Sequence, residues 1–101
     1  MITKRKPASI GEILNEEFIQ PLSLTQGELA DAMGVPRKHV NELCNDRRAV
    51  TASTALILAR VFDNSPEFWL NIQRRMDLWT ALNSPQEKLR ISRARPLEIS
   101  I

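Results

Sequence analysis

The sequence predicts an all-α protein of five helices, and three observations carry that expectation. Tyrosine is absent and glycine occurs only three times, while helix-favouring Ala, Leu, Glu and Arg are spread along the chain. Several segments open on a Ser or Thr cap followed by an acid, with apolar residues at helical spacing behind it. Two of those segments are separated by only a few residues around a glycine. At 101 residues the chain is one domain with a single modest core.

The first helix opens at Ser9, with Glu12 completing a capping box; Ile10, Ile13, Leu14 and Phe18 then share a face, and Pro21 ends the run. The second has the fullest signature. Thr25 caps it, Glu28 closes the box, Leu24 is placed to staple onto Leu29, and Leu29, Ala30 and Met33 form the inner stripe. Gly34 follows, a residue that takes the left-handed backbone of a helix stop without steric penalty. Pro36 suits the first position of a third helix, whose buried face is Val40, Leu43 and Cys44. Asn45 to Arg48 read as a polar loop. Thr51 caps a fourth helix lined by Ala55, Leu58, Ala59 and Phe62, and Ser65-Pro66-Glu67 starts a fifth that runs to about Leu82.

Two short amphipathic helices joined by so tight a turn must cross steeply, which is the geometry of a helix-turn-helix unit. With Val40, Leu43 and Cys44 turned inward, Arg37, Lys38 and Asn41 face outward. Arg and Lys donate to guanine O6 and N7, and Asn pairs with adenine N6 and N7, so these three are the expected base readers. Gln26 at the start of the preceding helix, with Asn45, Arg47 and Arg48 just past the reading helix, is expected to meet phosphates.

Net charge is only +2, with the basic residues gathered in clusters: Lys4-Arg5-Lys6, Arg37-Lys38, Arg47-Arg48, Arg74-Arg75, and Lys88, Arg90, Arg93 and Arg95. Local basic patches on a near-neutral body suit one phosphate-facing surface. Cys44 is the sole cysteine, which excludes an internal disulfide and a paired-cysteine zinc site, and reads as a small buried hydrophobe. His39 is the sole histidine, with no carboxylate at relay spacing, and there is no phosphate-binding glycine loop. No enzyme, cofactor or metal site is expected. No signal peptide or membrane-spanning run is found, so the chain reads as cytosolic.

The fifth helix carries more apolar surface than one face needs. Phe68, Ile72 and Trp79 make an inward stripe, while Trp69, Leu70, Met76, Leu78 and Leu82 spill round the cylinder. Trp69, Met76 and Trp79 are therefore the expected contacts of a homodimer, with both tryptophans in the core as the alternative. A two-fold dimer implies a palindromic operator on double-stranded DNA, with half-site centres about 10 bp apart or a multiple of that. The organisation expected is a basic arm over 1–8, the helix-turn-helix domain with its dimerisation helix over 9–83, and a basic tail over 84–101. The tail has no helical stripe and is expected to be disordered; Leu89, Ile91, Leu97, Ile99 and Ile101 allow a short extended segment on a partner as the alternative.

The stretch 24–43 resembles the helix-turn-helix domain of phage repressors, with Gln26, Ala30, Gly34, Val40 and Leu43 at matching spacing. Gly11-Glu12, Pro21-Leu22, the run Ser65-Pro66-Glu67-Phe68-Trp69-Leu70-Asn71-Ile72-Gln73 and Asp77-Leu78-Trp79 are similar to the HigA/VapI family of antitoxins. That resemblance covers residues 7–82. It implies an antitoxin that binds a HigB-like mRNA-cleaving toxin of the RelE class and represses its own promoter as a dimer. A regulator without a toxin, and a protein-binding inhibitor with weak DNA affinity, are the other readings; Arg37, Lys38 and Asn41 favour DNA.

Overall fold

A computed structural model describes residues 5–98. Lys4 of the basic arm, and Ile99 and Ile101 of the tail, lie outside the described residues. Six helical elements follow one another with no strand among the described residues: α1 (Ile10–Ile13, continued as a π-helix over Leu14–Ile19), α2 (Gln26–Met33), α3 (Arg37–Cys44), α4 (Ala52–Phe62), α5 (Pro66–Asn83) and α6 (Pro85–Arg93).

The caps expected from sequence are in place. Thr25 and Glu28 form the full reciprocal capping box, whereas at Ser9 the hydroxyl accepts from the Glu12 N–H with no return bond from the Glu12 side chain among the described residues. Thr51 accepts from Thr54 N–H and Ser65 from Phe68 N–H, each satisfying a free donor of a first helical turn. Gly34 closes α2 at φ 69°, ψ 34°, the left-handed stop. Pro36 is the residue just before α3 rather than its first turn.

In the first helix the winding departs from the expected period. Hydrogen bonds such as Gln20 N–H to Asn15 O, at 2.9 Å, span five residues. That wider winding stacks Leu14 and Ile19 on one buried face, with Phe18 half-buried beside them. The expected stripe of Ile10, Ile13, Leu14 and Phe18 is thus widened to take in Ile19, with Ile10, Leu14 and Ile19 buried and Ile13 and Phe18 partly buried against the core.

Leu14, Leu29, Val40, Leu43, Ala55, Leu58 and Trp69 are wholly buried and form the centre of one core. Around Trp69 gather Phe18, Phe62 and Phe68, with ring centroids 5.0–5.9 Å from the indole in tilted or edge-on arrangements. α2 packs on α3, α4 on α5, and α1 bridges to both α3 and α5.

Two expectations are corrected here. Trp69 is not a dimer contact: it is the largest fully buried side chain, and its indole N–H donates to Asn64 Oδ1 at 2.9 Å inside its own chain. The inward stripe of α5 accordingly runs through Trp69 and Ile72, with Phe68 at its edge and 37% exposed. The tail, second, is helical over Pro85–Arg93, making a sixth helix. Ser84 caps it and Pro85 occupies its first turn, the same start signal that Ser65 and Pro66 give α5. Glu87 pairs with Arg90 at 3.2 Å, and Arg90 and Arg93 complement the negative end of the helix dipole. None of its residues is buried, so no apolar stripe marked it in the sequence.

Candidate nucleic-acid interface

The outer face of α3 is built on an anchored underside. Val40 and Leu43 are wholly buried and Cys44 nearly so, and burial pushes the Cys44 thiol above its ordinary range. That suits an inert packing residue rather than a nucleophile. Arg37, Lys38 and Asn41 stand on the opposite, exposed side, as the sequence predicts. The tight connection from α2 is held by the Gly34 conformation and by the Val35 N–H donating to Ala30 O at 3.1 Å.

The C-terminal end of α3 is tied to α1 by polar contacts. Asp46, in the left-handed region at φ 57°, accepts from the Ser9 hydroxyl at 2.7 Å and from the Gly11 N–H at 2.8 Å. Asn15 donates to both Gly11 O and Cys44 O, at 2.8 and 3.2 Å. Gly11 lies so close that a Cβ there would sit 2.5 Å from the Cys44 carbonyl oxygen. On the other side, Gln73 of α5 accepts the Val50 N–H at 2.8 Å and steadies the end of the loop. The sequence alone assigns no role to Asp46, Asn15 or Gln73. The signal available for Gln73 was a polar residue at helical spacing within the Trp69–Ile72 face.

The expected phosphate set divides on inspection. Gln26, the first residue of α2, accepts from Asn41 Nδ2 at 3.1 Å, so an expected phosphate contact and an expected base reader meet directly. Asn45 donates to Asn41 O at 2.8 Å and so caps the end of α3. Arg48 reaches back to Glu42, its terminal nitrogen 2.8 Å from Oε1, and that hydrogen bond holds the Glu42 carboxyl below its usual range. Arg47 is exposed, and its backbone N–H is bound to Glu42 O at 2.8 Å. Arg37 and Lys38 occupy the first two positions of α3, where the helix N-terminus adds its own attraction for anions.

His39 does not join this face. Its Nε2 is buried with no hydrogen-bond partner among the described residues, and burial, then the nearby Arg48, lower its pKa so that the neutral ring is favoured. On α5, Met76 and Trp79 are half-buried, and the Lys6 ammonium lies 5.8 Å from the Trp79 ring centroid, which docks the arm on that helix. Among the described residues no cluster of His, Cys, Asp and Glu suits a metal ion, and no helix is long and apolar enough to cross a membrane.

Two packed helices joined by a tight turn at Gly34, the second with a basic, amide-bearing outer face, define a helix-turn-helix protein, and the chain matches the helix-turn-helix family over residues 16–69. It is 46% identical over 99 residues to Antitoxin HigA-1 of Vibrio cholerae, covering 98% of this chain and 91% of that one. Its structure is similar to that of antitoxin GraA in complex with its operator (TM-score 0.84, 35% identity, 98% of this chain and 99% of that chain). It is similar also to Pseudomonas aeruginosa antitoxin HigA with the higBA promoter (TM-score 0.81, 33% identity, 91% and 99%). The chain belongs to the HigA-type family of helix-turn-helix antitoxins.

Proposed function

We propose that this protein is a sequence-specific DNA-binding antitoxin that represses its own operon as a homodimer and neutralises a HigB-like mRNA-cleaving toxin. The observation that carries the DNA reading is the exposed set Arg37, Lys38 and Asn41 on a helix whose other face is locked into the core. A reading helix must hold its side chains within a fraction of an ångström of the base edges, and α3 is braced by α2, by α1 and by the loop tied to Gln73. Two relatives of nearly full length are seen with operator or promoter DNA, which supports the same use here.

In this reading Arg37 and Lys38 meet guanine, Asn41 meets adenine, and Gln26, Asn45, Arg47 and Arg48 hold phosphates. Residues 9–83 form the binding domain, with a basic arm before it and the α6 tail behind. Met76 and Trp79, beside the exposed Leu70 and Leu78, supply the dimer contact. The toxin partner rests on the antitoxin relatives. The protein acts by binding, with no cofactor and no catalysis of its own.

Fluorescence anisotropy with the gene's upstream DNA and a scrambled duplex, repeated across salt, tests this. The native duplex is expected to bind on the order of 1,000-fold tighter. Arg37→Ala should narrow that gap, and each neutralised phosphate adds about 0.9 to the logarithmic salt slope. Equal, weak binding of both duplexes would overturn the repressor reading. Failure of any small basic protein to co-purify with the chain expressed from its own locus would leave a regulator without a toxin.

A further inference from the structure

We propose that Glu42 is a further specificity-determining residue of α3, one that selects cytosine, and that Arg48 is its positioning residue. This rests on the reading of α3 as the helix that enters the major groove. Each helical residue turns by about 100° from the last, so Glu42 follows Lys38 by one turn and stands beside Asn41. It lies on the side away from Val40, Leu43 and Cys44, which are buried in the core. Its side chain keeps 26% of its surface open with Arg48 in place, so a base can reach it. A face made only to meet phosphates has no use for a carboxylate there, since the phosphate rows along the groove repel it.

Arg48 makes that carboxylate tolerable. It returns from the loop beyond α3, and its Nε and Nη2 both donate to Glu42 Oε1, at 3.2 and 2.8 Å. The pair offsets the charge that phosphates would oppose. The Arg48 hydrogen bond, with Lys38 adding to it, also keeps the carboxyl ionised, an acceptor with no proton to donate. Both bonds fall on Oε1, which leaves Oε2 to accept from a base. Cytosine alone presents an amino donor to the major groove with no acceptor of its own beside it. Adenine sets N7 next to its N6, and guanine and thymine present acceptors, all of which repel a carboxylate. The Nη1 group of Arg48 remains for a phosphate, so one guanidinium serves both the backbone and the base-reading acid.

The test uses the full chain and its upstream DNA, with a duplex series carrying each single base-pair change. At one C·G pair the wild-type protein should lose about tenfold in affinity when cytosine becomes thymine, and Glu42→Ala should abolish that difference. The same cytosine without its 4-amino group should cost the wild type about as much, and cost Glu42→Ala nothing further. Glu42→Gln should move the preference at that pair toward adenine, which a carboxamide matches through N6 and N7. Arg48→Ala should weaken every duplex and reduce the cytosine preference to about threefold, half of the effect on a logarithmic scale. Unfolding midpoints are measured for all variants so that loss of fold is seen directly. If Glu42→Ala changes all duplexes by one common factor, in either direction, Glu42 only holds Arg48 or repels phosphate, and the cytosine assignment is overturned. A loss of discrimination confined to A·T pairs overturns it too. If the wild-type protein distinguishes no base-pair change, the repressor reading itself has failed, and this proposal falls with it.

Discussion

Residues 9–73 and residues 74–98 treat apolar surface in opposite ways. In the first stretch the large apolar residues mostly find cover in the chain itself, from Leu14 through Val40 to Trp69, and polar ties such as Asp46 to Gly11 lock the helices to one another. In the second, Leu78, Leu89 and Ile91 are 42%, 53% and 49% exposed, and α6 buries nothing. Reading base edges needs a helix held rigidly by its own domain, and the first stretch supplies one. An end that leaves Leu78, Leu89 and Ile91 open in one chain suits a second copy, in keeping with the proposed dimer.

Breaking the first region should have the largest consequence. Trp69→Ala empties the centre of the aromatic cluster and strands Asn64, and it is expected to cost about 3–5 kcal/mol in urea unfolding. A loss below 1 kcal/mol would place the indole elsewhere. Gly11→Ala drives a methyl into the Cys44 carbonyl, so α1 must withdraw from the end of α3. It should cost about 1–3 kcal/mol and also weaken DNA binding, because the tie that holds the reading helix is displaced. Anisotropy beside thermal unfolding checks both effects. Leu89→Ala belongs to the other region, and at dilute protein it should change stability by less than about 0.5 kcal/mol. Sedimentation at increasing concentration sharpens the contrast, since a loss of stability seen only in the associated protein would place α6 against a second copy.

Capping chemistry was legible in the sequence because it is local. Thr25 with Glu28, Gly34, Thr51 and Ser65 each act within four residues, so their roles were visible before any packing was known. The outward set on α3 was legible too, because helical period alone separates Arg37, Lys38 and Asn41 from Val40 and Leu43. The sixth helix was missed for a related reason. It is held by the Ser84 cap, Pro85 and an ion pair, and it lacks the apolar stripe on which helix detection leans. The placement of Trp69 was missed because α5 carries apolar residues on several sides, and period cannot tell which side meets the core.

The sequence by itself determined the helical class, most helix starts and stops, and the chemistry of the reading face, since these follow from caps, turns and spacing within a few residues. Tertiary structure alone decided which tryptophan is core, that Gly11 is needed for close approach to Cys44, and that Asp46, Asn15 and Gln73 brace the reading helix. It alone brought Gln26 to Asn41, fifteen residues apart in the chain. Such contacts join residues distant in sequence, and their geometry exists only once the helices have packed and fixed the angles between them.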